Sequence, residues 1–274
     1  MISIVTTYYN RKPQFVRTLD VINRYAENFH DGLEVIVVDD ASDASQSLRD
    51  LPEKYPFTIK LLEIEKSSKQ HFNPCVPFNI GFREVKGDTV ILQSPECYYT
   101  DNIFKHITDN FTPGTYASYA CYSPSKPNSD RFASISPIGN TFEQDHVDLL
   151  KEMRQVSADE NPPHGNRVDS WYNHSVHRPC HFHFTAVISK DDLDDLNGFD
   201  ERYAQGVGYD DNELVARAKR KGMDCPIYDD LPVIHQFHPL VYDHVSAPAN
   251  NQLFHNMTLN EASWSVNAGT VYGA

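Results

Sequence analysis

From the N-terminus the chain alternates between short, nearly continuous apolar runs and segments whose apolar positions recur at helical spacing. Ile2–Tyr8 is rich in β-forming residues and leads into a polar turn at 10–12. Pro13 then opens a segment carrying Phe15, Val16, Leu19, Ile22 and Tyr25, which predicts a helix. LEVIVVDD (33–40) is apolar almost throughout, the pattern of a strand covered on both faces. A short helical piece near 45–51, a strand over 58–65, a helix over roughly 76–85 and a strand over 88–95 follow. This alternation predicts an α/β domain with parallel strands joined by right-handed crossovers.

Beyond residue 100 the pattern loosens. Tyr116–Tyr122 reads as a strand, 123–140 (rich in Ser, Pro and Asn) as loop, and Glu143–Val156 as a helix. Residues 157–180 are polar and aromatic without period; they suit a lid or acceptor-binding surface, with disorder as the alternative. HFHFTAVISK (181–190) alternates as a strand does, with His181, His183 and Thr185 on one face, and DDLDDL (191–196) reads as a solvated helix start. CPIYDDLPVIHQFHP (225–239) ends in an apolar strand, then His235 and His238. Residues 241–274 have no clear period and read as a peripheral arm or a frayed end. No internal repeat divides the chain.

The chain is organised around Asn197–Gly222. Its second half predicts a helix with Asp210, Asp211 and Glu213 in the first turn, Arg217, Lys219, Arg220 and Lys221 filling the end, and Gly222 at a left-handed cap. Acid at a helix start is ordinary capping. Here it follows an aromatic-bearing loop in which Gly206 and Gly208 allow close backbone approach, so carboxylates stand on a rigid element beside a flexible one. At the strand ends of the first half stand Thr6–Thr7–Tyr8, Asp39–Asp40 and Ser94–Pro95–Glu96. Ligands of parallel sheets sit beyond those ends, which points to a nucleotide-type site.

Composition narrows the partners. The 274 residues carry a formal charge of −14, which argues against gripping nucleic acid by its phosphates. No apolar run approaches the roughly 20 residues that span a bilayer, and MISIVTTYY already reads as a strand rather than a signal segment. Five scattered cysteines without a CxxC pair suit reduced thiols in a cytoplasmic compartment. The dinucleotide fingerprint is absent: the first turn reads TTYYNRKP, and Gly206-Val207-Gly208 follows no strand. His181 and His183 stand two apart, a spacing open to metal but better suited to side chains lining a cleft.

TTYYNR (6–11), VIVVDDASD (36–43), GFDERYAQGVGYDDNEL (198–214) and HQFHP (235–239) together resemble GT-A glycosyltransferases of the large family 2-like group, with a galactosyltransferase-like C-terminal motif. The resemblance covers about residues 1–240 and is weak over 120–178. It implies one GT-A domain over 1–240, with a nucleotide-sugar-binding half (1–100) and an acceptor half (101–240), and an extension over 241–274. It implies an inverting hexosyltransferase moving a sugar from a nucleotide diphosphate sugar, a UDP-sugar by expectation, to a glycan or other hydroxyl acceptor. Thr7, Tyr8, Arg11, Asp40 and Asn79 would bind the nucleotide, and Asp40 would accept the uracil imide hydrogen. Asp211 would be the general base, while Asp210, Tyr209, Trp171 and His183 would line the sugar and acceptor sites. For Trp171 a core role is an equal alternative. A divalent cation, manganese or magnesium, would sit on the diphosphate. The usual Asp-x-Asp reads Ser94-Pro95-Glu96, so Glu96 remains as ligand, with His235 second and His238 as its alternative.

Other classes fit less well. A nucleotidyltransferase needs a glycine-rich basic loop where TTYYNRKP stands, and a zinc hydrolase on His235 and His238 lacks a third ligand of fitting spacing. A catalytically degenerate glycan- or nucleotide-sugar-binding protein is the main alternative, with Ser94 as its one hint.

Overall fold

The computed structural model describes residues 1–26, 32–157, 169–239 and 247–266. Among the described residues nine strands form one sheet: β1 (Ile2–Tyr8), β2 (Leu33–Asp39), β3 (Thr58–Glu63), β4 (Thr89–Gln93), β5 (Cys97–Tyr99), β6 (Ala117–Ser123), β7 (Ser170–Asn173), β8 (Thr185–Ser189) and β9 (Ile227–His235). Their order is β3-β2-β1-β4-β8-β6-β9-β5, with β7 paired to β6. The first four strands are parallel, so their carboxyl ends share one rim, as the alternating pattern predicts. Beyond β4 the sheet turns mixed: β8 runs antiparallel to β4, and β6 and β9 pair in parallel.

Helices cover both faces. On one, α1 (Lys12–Ala26), α3 (Ile103–Asn110) and α5 (Phe142–Ser157) bury Phe15, Leu19, Ile22, Phe104, Ile107, Leu150 and Met153. On the other, α2 (Cys75–Phe82), α6 (Lys190–Leu196), α7 (Asp210–Lys221) and α8 (Ala247–Asn256) bury Phe78, Phe82, Leu193, Leu214, Val215 and Phe254. β2 is buried at every position, as its unbroken apolar run requires. α7 ends as its charges foretell, with Gly222 at φ 84° and its N–H bonded to the last turn.

Four local expectations need correction. The stretch 123–140 contains a helix, α4 (Lys126–Ser134), held by tertiary anchors rather than by an apolar stripe: Phe132 is buried, and Arg17 Nη2 donates to the carbonyls of Phe132 and Ile135 at 2.9 and 2.8 Å. The helical piece near 45–51 shortens to a 3₁₀ turn at Ala44–Gln46. The aperiodic stretch 157–180 ends in β7, while residues 158–168, the bulk of the expected lid, lie outside the described residues. The fourth concerns 181–184, which is not strand. His181 has φ 60°, and the His183 N–H turns to Asp211 Oδ1 at 3.3 Å, so the backbone serves the site instead of a ladder.

Residues 247–266 pack onto the body of the molecule. Tyr203 is hydrogen-bonded to Thr258, Arg202 pairs with Glu261 at 2.8 Å, and Arg220 Nη2 donates to Thr258 O at 3.0 Å. Among the described residues no helix is long and apolar enough to cross a membrane.

Candidate active site

The parallel rim opens into a cavity of about 700 Å³. Thr7, Asp40, Arg11 and Glu96 line it from the first half; His183, Asp210, Asp211 and His238 line it from the second.

Glu96 and His235 meet because β5 pairs antiparallel with β9, which sets Cys97 opposite His235. Gln236 N–H donates to Glu96 O at 3.0 Å and locks that register at the rim. The Nε2 atoms of His235 and His238 each lie 3.2 Å from Glu96 Oε1, and Arg11 Nη1 donates to both Glu96 oxygens at 2.9 Å. Burial alone would raise the Glu96 carboxyl; the Arg11 guanidinium and the two imidazoles hold it well below the usual carboxylate range. The donor set fits a divalent cation: one carboxylate and two imidazoles, all buried, offer ligand atoms within 4.8 Å of one another. His238 supplies a further test. Its Nδ1 lies 3.0 Å from the Pro239 carbonyl and must donate there, so in the neutral ring Nε2 is an acceptor facing the acceptor Oε1. Two such acceptors call for a cation between them, a proton or a metal.

Across the cavity, α7 presents its first turn. Asp211 pairs with His183 Nδ1 and accepts from the His183 N–H, while the imidazole is wedged among Phe78 and Phe199. Burial would lower the His183 pKa, but the Asp211 charge and hydrogen bond, with Asp210 behind, raise it instead. Asp210 is buried and accepts from Asn73 Nδ2 at 3.0 Å. Burial first, then the Asp211 charge, push its carboxyl up to about 6. The loop ahead of α7 needs its glycines: a Cβ on Gly206 would sit 2.2 Å from Asn250 Oδ1, and Gly208 has φ 71°.

At the end of β2, both Asp40 oxygens already have cationic or imidazole partners, Lys69 Nζ at 2.7 Å and His71 Nε2 at 2.8 Å. Tyr8 borders the cavity, with its ring packed on Phe15 and its hydroxyl donating to Gln46 O at 2.7 Å. Other expected residues fall elsewhere. Asn79 is buried behind the site, its amide consumed by Phe199 and Glu201. Trp171 is a core residue packed on Tyr122, so its alternative role prevails. Tyr209 turns away at φ 67° and packs on Phe254 of α8. Lys66, Lys69, His71 and Asn73 were not anticipated, although their segment follows β3 at the same rim, where ligand-facing loops of parallel sheets belong.

Residues 3–164 match the profile of glycosyl transferase family 2. The chain belongs to this family. Residues 181–240 match a second profile, the N-terminal domain of galactosyltransferase. The fold of this family 2 glycosyltransferase is GT-A, as solved structures confirm. It is similar to mannosyltransferase PcManGT from Pyrobaculum calidifontis in complex with GDP-Man and Mn2+, with 16% identity and a TM-score of 0.55 over 88% of this chain and 58% of that one. It is also similar to S. aureus TarS 1-349 in complex with UDP-GlcNAc (14%, 0.55, 89% and 60%) and with UDP (15%, 0.53, 85% and 60%). The chain therefore spans under two thirds of the length of these relatives. No curated protein sequence matches it.

Proposed function

We propose that this family 2 glycosyltransferase moves a sugar from a uridine diphosphate sugar to a hydroxyl of a glycan or similar acceptor, with inversion at the anomeric carbon. The observation that carries the reading is that one cavity holds two centres: it is lined by Glu96 and His238 of the Glu96–His235–His238 cluster and by Asp211. An in-line displacement needs an anion-stabilising centre at the leaving diphosphate and a base on the far side of the sugar.

Asp211 accepts the proton of the acceptor hydroxyl as that oxygen bonds to the anomeric carbon and the bond to the diphosphate breaks. His183 holds the Asp211 carboxylate in place, and its NH-bearing backbone fixes the same oxygen. Asp210, tied to Asn73, is suited to a sugar hydroxyl. Thr7 and Asp40 take the uracil, with Lys69 and His71 orienting Asp40. Lys66 and Lys69 add positive charge at the cavity for the diphosphate. Glu96, His235 and His238 would hold manganese or magnesium, which supplies positive charge to the leaving group when bound. Residues 1–100 then form the donor half, 101–240 the acceptor half, and 241–274 an extension, of which Asn250 braces the loop before α7. A glycosyltransferase in complex with UDP-GlcNAc and another with GDP-Man and Mn2+ share the fold and support this chemistry.

The test is incubation with a panel of nucleotide sugars with and without Mn2+, following donor hydrolysis and the anomeric configuration of any glycoside by NMR. Slow UDP release and a configuration opposite to the donor's are expected. Retained configuration would overturn inversion; absence of any donor turnover would favour a sugar-nucleotide-binding protein.

A further inference from the structure

Arg11 stands where its charge has a second consequence. It follows Asn10 (φ 51°) and its carbonyl accepts from Phe15 N–H at 2.9 Å, so the backbone is fixed at the mouth of α1. Its side chain is 31% exposed and borders the cavity, and it spends one nitrogen on both oxygens of Glu96. Glu96 is the sole carboxylate of the cluster, because Ser94 occupies the position that would add another. With Arg11 in place the carboxylate and guanidinium cancel, and the two imidazoles add no negative charge. A dication entering this cluster meets a unit positive charge at ligand distance from its one anionic ligand. At such separations like charges repel appreciably even at an effective dielectric near 20.

We propose that Arg11 is the resident counter-ion of Glu96 and competes with a divalent cation for it, so that metal binding and the Arg11–Glu96 pair exclude one another. This rests on reading Glu96, His235 and His238 as the cation centre. It assigns Arg11 to that centre rather than to the nucleotide base, and makes the intrinsic metal affinity of the free protein low by construction. Released from Glu96, the guanidinium remains inside the cavity, where an anionic ligand would receive it.

The experiment measures Mn2+ binding to the full chain by calorimetry and by loss of the aqueous Mn2+ EPR signal, with no donor or acceptor present, so it stands or falls independently of transferase activity. Arg11→Gln, which keeps a polar side chain at the half-exposed site, is expected to bind Mn2+ at least about tenfold more tightly than the wild type. Arg11→Lys, still charged but without the planar fork, should fall between them. Adding Glu96→Gln to Arg11→Gln should abolish the gain. A second readout needs no variant: with ¹⁵N-labelled arginine, Mg2+ titrated into the wild type should move the Arg11 guanidinium resonance toward that of a free side chain. Equal or weaker Mn2+ binding by Arg11→Gln, no binding by either protein at millimolar Mn2+, or an Arg11 resonance that ignores saturating Mg2+ overturns the proposal.

Discussion

Two adjacent carboxylates at the start of α7 live in different surroundings, and the difference assigns their work. Asp211 faces the cavity with a quarter of its side chain exposed and a histidine at its back, so it can meet an acceptor hydroxyl. Asp211→Asn should leave the fold and UDP binding intact and cost on the order of a hundredfold or more in transfer rate; near-normal turnover would move the base elsewhere, to Asp210 first. Asp210 is buried against Asn73 with its carboxyl raised to about 6 from 3.8. A raised carboxyl favours the protonated fold, so its contribution to stability is full below about pH 4 and is lost as the pH rises through about 6. Asp210→Asn removes that titration while keeping an acceptor for Asn73. Its Tm should exceed the wild type's by several degrees at pH 8, with the gap closing toward pH 4; a pH-independent gap would contradict the burial argument. At this scale the sequence was legible in placement: polar residues at strand and helix ends come together, Glu96 meeting His235 and Asp211 facing the same cavity as Glu96. It was not legible for Trp171 or Tyr209, because an aromatic ring satisfies a core and a sugar face equally well and only packing decides.

At the level of elements, the loop from Tyr203 to Tyr209 is the piece that aims α7. It is gripped from one side by the 66–74 segment, where Phe72 and Asn73 N–H groups reach Ala204 O, and from the other by α8, where Asn250 Nδ2 donates to Gly208 O at 2.8 Å and Tyr203 O at 3.1 Å. Asn250 is buried and approaches Gly206 too closely for any side chain there. Asn250→Ala removes two bonds to buried carbonyls, a loss of roughly 1–3 kcal/mol. It should also lower the turnover rate about tenfold with UDP affinity nearly unchanged, since a small misplacement of the base costs rate before it costs donor binding. A fall in UDP affinity as large as the fall in rate would mean the loop shapes the nucleotide site instead. Periodicity revealed α1, α5 and α7, each with an apolar face, whereas α2 is apolar and buried nearly all round. It missed α4, whose only buried anchors are Ser129 and Phe132 and whose carbonyls are held by Arg17, a residue more than a hundred positions away. Nor could it show that α8, with few apolar positions, seats Phe254 on the Tyr209 ring. Such elements form because a surface exists to receive them.

Across the whole molecule, one sheet serves two purposes through a change of strand direction. Its parallel half delivers Thr7, Asp40 and Glu96 to a single rim; beyond β4 the reversed β8 and the β9–β5 pair bring His183 and His235 to the same rim from the far side. The alternating pattern of the first hundred residues made the parallel half readable, whereas the order of β8, β6 and β9 depends on long-range pairing that no local pattern encodes. A donor spanning the cavity would touch both halves, so it should stabilise the molecule as a unit. On the proposed reading, the end of the cavity at Asp40 sets the selectivity. The Asp40 carboxylate is held by Lys69 and His71 and offers only acceptor lone pairs to a base. Uracil can give it the imide hydrogen; the ring nitrogen of cytosine at that position is itself an acceptor and would face Asp40 with repulsion. UDP should therefore raise Tm by an amount growing with the logarithm of its concentration, and CDP at equal concentration should raise it less. Asp40→Asn, whose amide can donate as well as accept, should narrow the gap between the two nucleotides. Calorimetric titration of both nucleotides into both proteins decides it: tighter binding of CDP by the wild type, or an unchanged preference in Asp40→Asn, would remove Asp40 from base recognition while leaving the proposed roles of Asp211 and of the Glu96 cluster untouched.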